Sequence, residues 1–344
     1  FQQEIFECYH DLISFGTACL FIEEDQDNIV NFSARHIKEI YIQENKNGFV
    51  DTLYRRFKMP AQTVAEKFGL ENISKETSNT VKKNPFDDID LVHVVRPRFQ
   101  FDPKKQDKAN MPFESIYFEY ETGHVLKIGG FKENPYVIPR YLKSSTEVYG
   151  RSPAMNALSD VKVLNKMVEN SLKAAAKTID PPLLVPDDGM LAPIRMSPGS
   201  INFFRSGSRD KIEPLKIDAN TSITLNNENQ RREAIVKMFH VDQLVITENR
   251  NMTATEVIQR QEEKMRILGP VLGRLQSELL SPLIIRIFNM MLRQGMFQQA
   301  PDILKDQELQ IEYVSPMALA QRSQELQSLM RALELFGSMS QWIS

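Results

Sequence analysis

Residues 1–14, FQQEIFECYHDLIS, place Ile5, Tyr9, Leu12 and Ile13 on one helical face, and Gly16 breaks the pattern. From TACLFIEE through IKEIYIQE to GFVDTLYRRFK the apolar period falls to two, with β-branched and aromatic residues, and EDQDN and ENKNG form turn clusters between the runs. That alternation predicts strands. PAQTVAEKFG predicts a short helix, with Pro60 near the first helical position and Gly69 as its C-cap. The charged, Asn- and Ser-rich stretch 71–88 reads as a loop, and alternation returns in DLVHVVRPRFQF, ESIYFEYE, HVLKIGGF and PYVIPRYLK. The first 145 residues therefore predict an α+β unit dominated by antiparallel sheet.

After Glu147 the period changes. Ser152 and Pro153 suit the N-cap and first turn of a helix running to about Lys177, which DPPLLVPDDG then stops. SINFF and KIEPLKI, set among Pro and Gly turns, predict a compact β-containing insert up to about Thr224. A second helix follows in NNENQRREAIVKMFH, and VDQLVITENRN reads as a loop. Thr253 and Glu256 make a capping box that opens a long helical tract, interrupted at Gly269-Pro270 and Ser281-Pro282 and ended by Gly295. SPMALAQRSQELQSLMRALELFG predicts a last amphipathic helix.

The helix from Ser152 is two-sided. At 100° per residue Leu158, Val161, Leu164, Val168, Leu172 and Ala175 span about 120°, while Lys162, Lys166, Lys173 and Lys177 span about 60° nearly opposite. A solvated lysine face is one reading and a phosphate-facing stripe is the other; periodicity does not choose between them.

Composition narrows the function classes. The 344 residues carry 42 Lys and Arg against 45 Asp and Glu, a net charge of −3, so any DNA contact has to be local or weak. Two cysteines, Cys8 and Cys19, lie near one end without a CxxC or histidines at ligand spacing, which predicts neither a disulfide framework nor a zinc site and suits a reducing setting. No apolar run approaches the roughly 18 residues of a membrane helix. The chain opens at Phe1 and stops at Ser344 in mid-pattern, and is expected to be the middle of something longer. There is no phosphate-binding loop, dinucleotide fingerprint, nucleophile elbow or H-E-x-x-H. His10, His36, His93, His124 and His240 are scattered and expected on strand or helix surfaces. The carboxylates of PFDDID and PDDG suit turns before a cation site. No catalytic residue, cofactor or metal is therefore assigned.

The segments EVYGRSPAMNALSDVKVLNKM, PPLLVPDDG, PGSINFF, MTATEVIQRQEEKMRILGPVLGRLQSELLSPLIIRIFNMMLRQG and SPMALAQR, in this order and spacing, resemble the podovirus-type head-to-tail connector, the portal protein family of short-tailed bacteriophages. LISFGTACLFIEED is similar too, so the resemblance covers nearly the whole chain and is strongest over 147–321. It implies an α+β portal-protein fold with a sheet-containing wing, two long stem helices, an inserted β-containing clip and a long kinked wing helix. By resemblance, residues 1–146 are wing, 147–178 a stem helix, 179–225 the clip and 226–240 the second stem helix. Residues 241–253 then match the tunnel loop, 254–314 the wing helical tract and 315–344 the start of the crown. The family's N-terminal region and C-terminal barrel lie outside the chain.

The resemblance also implies a ring of about twelve copies at one capsid vertex, closed by head-to-tail interfaces. Double-stranded DNA would pass through its axis during packaging and ejection. The implied partners are the packaging terminase motor, the tail adaptor, and capsid and scaffolding proteins, in the virion and, during assembly, in the host cytoplasm, with no membrane. On this reading Lys162, Lys166, Lys173 and Lys177 face DNA or the acidic flank of a neighbour, and Asn249, Arg250 and Asn251 line the constriction. Arg231 shares the apolar arc of its helix with Ile235 and Met238 and is expected to pair with a carboxylate across the subunit interface. The rival readings are another ring-shaped neck or tail adaptor, and a metal-dependent DNA-processing enzyme built on the Asp clusters.

Overall fold

A computed structural model of the chain describes residues 1–25, 29–102, 105, 107–181, 183–184, 213–214, 221–241 and 268–297. The fold is mixed α+β, as expected. Helix α1 spans Gln2–Phe15 and ends at Gly16, whose positive φ of 78° lets its N–H bond the Leu12 carbonyl. Its buried side is Cys8 and Leu12, while Tyr9 and Ile13 of the expected apolar face stay exposed. Strands β1 (Leu20–Asp25), β2 (Ile29–Ala34) and β8 (Tyr136–Val137) form an antiparallel sheet in the order β2-β1-β8. Strands β3 (Ile40–Glu44), β4 (Val50–Pro60), β5 (Asp88–Pro97), β6 (Phe113–Glu119) and β7 (Val125–Phe131) form an antiparallel meander in chain order.

Between β4 and β5 lie α2 (Ala61–Phe68) and α3 (Lys75–Lys83). The second corrects the loop expected over 71–88: Ser74 caps it, its Oγ accepting from the Thr77 N–H at 3.1 Å, and Glu119 of β6 accepts the Ser74 N–H at the same distance. The segment lacks apolar periodicity because only Thr77 of α3 is buried.

One face of the meander carries both main cores. Leu53, Arg55 and Phe57 of β4 lie opposite Val95, His93 and Leu91 of β5. At one end Cys19, Phe21, Ile40, Tyr136 and Ile138 pack with Leu53 and Val95; at the other, Val64, Phe68, Ile73 and Leu126 pack with Phe57 and Leu91. His93 fills the junction and is 1% exposed, which corrects its expected surface position. Its Nδ1 lies 2.8 Å from the Tyr136 hydroxyl, its Nε2 lies 2.9 Å from that of Ser115, and Tyr117 stacks on the ring at 3.8 Å. Burial, with the positive charges of Arg55, Lys67 and Arg35 behind it, lowers its pKa to about 3.

The Gly-Arg-Ser-Pro turn is explained by what it touches. Gly150 meets the backbone of Gly16 so closely that a Cβ on it would lie 2.0 Å from the Gly16 carbonyl oxygen. Its N–H donates to Thr17 Oγ1 at 2.8 Å. Ser152 Oγ donates to the Ser14 carbonyl and accepts from the Met155 N–H, both at 2.9 Å, so the end of α1 and the start of α4 (Pro153–Ile179) are joined through one cap.

Arg140 holds the same turn from the other side. It is fully buried, and each of its five guanidinium N–H groups has an acceptor. Nε and Nη2 form a fork on Glu278 at 3.0 and 2.6 Å, Nη2 also reaches the Gly48 carbonyl at 2.8 Å, and Nη1 bonds Glu44 and the Val148 carbonyl. Glu278 is presented by a widened helical turn, Gln276–Leu280, in which the Ser281 N–H bonds the Gln276 carbonyl. Pro282 explains the widening: it has no N–H for the Glu278 carbonyl, so the ladder resets there. The interruption expected at Ser281-Pro282 is thus a bulge, and α6 (Ser281–Arg293) continues beyond it to Gly295, at φ 70°. Gly269 and Pro270 lie within helical residues 268–275.

Helix α5 spans Thr221–Met238, starting five residues before the expected 226, and packs along α4. In the insert between them, β9 (Leu183–Leu184) pairs antiparallel with β10 (Glu213–Pro214). SINFF, the loop 242–253, the capping box at Thr253 and Glu256, and the helix expected after Ser315 lie outside the described residues. The chain divides into residues 1–286 and 287–344; in the second unit Phe288 and Phe297 stack at 5.0 Å.

Candidate nucleic-acid interface

Helix α4 has 27 residues with proline only in its first turn, so its ladder is uninterrupted and its faces keep their register. Lys162, Lys166, Lys173 and Lys177 are all exposed on it. Glu169 shares the stripe's edge and accepts from Lys166 at 3.0 Å and from Lys173. Those bonds, the one from Lys173 foremost, hold its carboxyl below the usual carboxylate range. Lys162 and Lys177 form no ion pair among the described residues. The stripe is therefore four cations against one carboxylate, presented to solvent along some four turns.

The apolar arc opposite divides in two. Val161, Leu164 and Val168 are partly buried, whereas Leu158 and Leu172 are 49% and 66% exposed and Ala175 is exposed as well. The α4–α5 seam is partly polar. Arg231 Nη1 donates to Asp160 of the same chain at 2.7 Å, and the nearly buried Glu228 accepts from Ser171 Oγ at 2.5 Å and from Arg232 at 3.4 Å. Arg231 thus has a carboxylate partner within its own chain, and Ile235 and Met238 beside it are partly buried.

The other candidate residues separate cleanly. Asn249, Arg250 and Asn251 lie outside the described residues, as do the carboxylates of PDDG. In PFDDID, Asp87 accepts from Asn84 Nδ2 at 2.6 Å and Asp90 pairs with Arg56 at 2.7 Å, so two of the three carboxylates serve the turn and the sheet. No group of three or more His, Cys, Asp and Glu suited to a metal occurs among the described residues. Cys8 and Cys19 are buried free thiols, and burial pushes the Cys8 thiol up to about 12. No helix among the described residues is long and apolar enough to cross a membrane.

Residues 1–343 match the family described as bacteriophage head to tail connecting protein. The chain belongs to that connector family. It is 32% identical over 343 residues to the portal protein of Salmonella phage epsilon15, covering 97% of this chain and 62% of that protein. It is 30% identical to the probable portal protein of Bordetella phage BPP-1, covering 96% and 61%. The portal protein of Enterobacteria phage T3 is 22% identical over 303 residues, covering 83% and 51%. The chain thus spans about three fifths of the first two relatives. A chain of the virion of a native gene transfer agent particle superposes with a TM-score of 0.38 at 11% identity, over 88% of this chain and 79% of that one, a likeness too distant to bear on function.

Proposed function

We propose that this connector-family chain is the subunit of a phage portal ring, a non-enzymatic conduit at one capsid vertex through which double-stranded DNA is packaged and ejected. The observation that carries the reading is the family match along residues 1–343, together with two portal relatives at 30% identity or more. In this reading residues 1–146 and 254–314 are the wing, α4 and α5 the stem helices and the segment between them the clip. Residues 241–253 form the tunnel loop, with Asn249, Arg250 and Asn251 at the constriction, and 315–344 lead into the crown. Terminase and later the tail adaptor dock on the clip, and capsid and scaffolding proteins are further partners.

The charge distribution suits a channel through which DNA slides. Non-specific phosphate binding strengthens with each phosphate neutralised, so a uniformly basic bore would grip the duplex. A chain of net charge −3 with one stripe of Lys162, Lys166, Lys173 and Lys177 has no overall basic excess, and a ring repeats that stripe about twelve times. The half-exposed apolar arc of α4, Leu158 and Leu172 above all, suits contact with the next subunit. Arg231, half-exposed, can add a neighbour's carboxylate to its bond with Asp160.

Replacing Lys162, Lys166, Lys173 and Lys177 together by Ala tests the stripe. Intact rings with reduced DNA packaging place the lysines toward DNA; loss of rings places them against a neighbour's acidic flank. Normal rings and normal packaging would exclude both roles.

A further inference from the structure

A cavity of about 360 Å³ opens between α1 and the turn after β2, lined by His10, Asp11, Arg35, His36, Glu39 and Arg55 among others. Arg35 follows β2 directly, its backbone N–H fixed on the Cys19 carbonyl at 2.8 Å. Its guanidinium is unusual: Nε is buried and has no hydrogen-bond partner, and no carboxylate forms an ion pair with Arg35 among the described residues. The Phe21 ring lies 5.8 Å from its central carbon.

Arg55, from β4, supplies a second guanidinium to the same cavity. It bonds Glu39 through Nε at 2.8 Å and lies over Phe57 at 4.1 Å. Burial first, and the like charge of Arg55 second, make the charged form of Arg35 less favourable, yet an arginine stays a cation in a protein. Glu39 favours the charged form of Arg35 but forms no ion pair with it. Glu39 is committed to Arg55, Glu7 is exposed at the rim, and burial, foremost, pushes the Asp11 carboxyl above the usual range. His36 Nδ1 accepts the Lys38 N–H at 3.1 Å, which leaves Nε2 as the ring's donor, and His10 stands exposed at the mouth.

We propose that this cavity is an oxyanion site, taking a phosphate or carboxylate group on the free guanidinium edge of Arg35, with Arg55 beside it. The planar fork of arginine matches both groups in two parallel bonds. An oxyanion there sets a negative charge beside two like cations, and it reaches the Nε donor, which is closed to solvent, only as the Arg35 side chain turns toward it. The group can arrive as free phosphate or as an acidic side chain; the chemistry at Arg35 is the same. The site belongs to residues 1–60 alone, so the proposal stands or falls independently of the portal reading.

The test is thermal unfolding of the chain in inorganic phosphate, in acetate and in chloride at matched ionic strength. A specific site raises Tm over chloride by about 2 °C when the anion is at ten times its dissociation constant. Arg35→Gln should abolish that rise. A rise with phosphate alone assigns the site to phosphate groups, and one with acetate alone to a protein carboxylate. No rise with either, or a rise unchanged in Arg35→Gln, overturns the proposal. Should Arg35→Gln fail to fold, phenylglyoxal modification of the unsubstituted chain, read at Arg35 by peptide mass spectrometry, decides. The effective anion slows it several-fold if the site is real, and equal rates in chloride overturn it.

Discussion

Arg140→Met should be among the most destabilising single changes in this chain. Methionine keeps much of the arginine stem's volume and removes the charge, so packing loss is kept small and the electrostatic loss dominates. What is left behind is Glu278, whose side chain is 7% exposed and whose remaining cation is the partly exposed Arg274 at 2.9 Å. Carbonyls at Gly48 and Val148 lose their donors as well. Breaking a buried pair from one side costs about 3–5 kcal/mol, chiefly because the surviving charge stays desolvated. Removing both partners avoids most of that, so Arg140→Met with Glu278→Leu should cost less than the sum of the two single changes by at least about 2 kcal/mol. Urea unfolding followed by far-ultraviolet circular dichroism measures all four corners of the cycle. A cost below about 1 kcal/mol for Arg140→Met, or additivity within about 0.5 kcal/mol, would refute the reasoning.

Two further predictions concern the same region. His93 has a folded pKa of about 3 against an ordinary 6.5, so as pH falls the unfolded chain takes up a proton first. Its contribution is intact above pH 6.5 and is lost between 6.5 and 3, amounting to about 2 kcal/mol between pH 8 and pH 5; His93→Gln should remove that part of the pH dependence measured by urea unfolding, and an unchanged dependence would count against it. Gly150→Ala puts a Cβ 2.0 Å from the Gly16 carbonyl oxygen and 3.0 Å from Arg140 Cβ. Because the nearer atom is backbone, the change should cost more than about 2 kcal/mol in the same assay, and a near-neutral result would mean that α1 and the start of α4 can separate.

Local signals in the sequence carried the fold far. The strands of the meander are legible because Leu53, Phe57, Leu91 and Val95 share one buried face, although Val92 and Val94 bury the other face of β5 as well, and the Ser152-Pro153 start of α4 is legible because a cap is chemistry within three residues. Helix α3 was not legible, since KETSNTVKK buries only Thr77 and depends on Ser74 and Glu119 for its start. Arg140 gave no signal in VIPRYLK, because its main partner is 138 residues away. His93 reads as one alternating position among many, and only the two hydroxyls that meet it from β6 and β8 make it a core residue. At the candidate interface the lysine stripe follows from helical spacing alone. Its partner Glu169 was visible at spacings of three and four, while the partial exposure of the apolar arc depends on α5, which comes 41 residues after α4 ends.

The central claim is that this chain builds a ring around DNA. Native mass spectrometry of the purified protein, with electron-microscope top views, tests it most directly. The account predicts a closed ring of about twelve subunits with a central hole wide enough for a DNA duplex. A monodisperse monomer or dimer at micromolar concentration, unchanged when the chain is extended to the full length of its portal relatives, would contradict it.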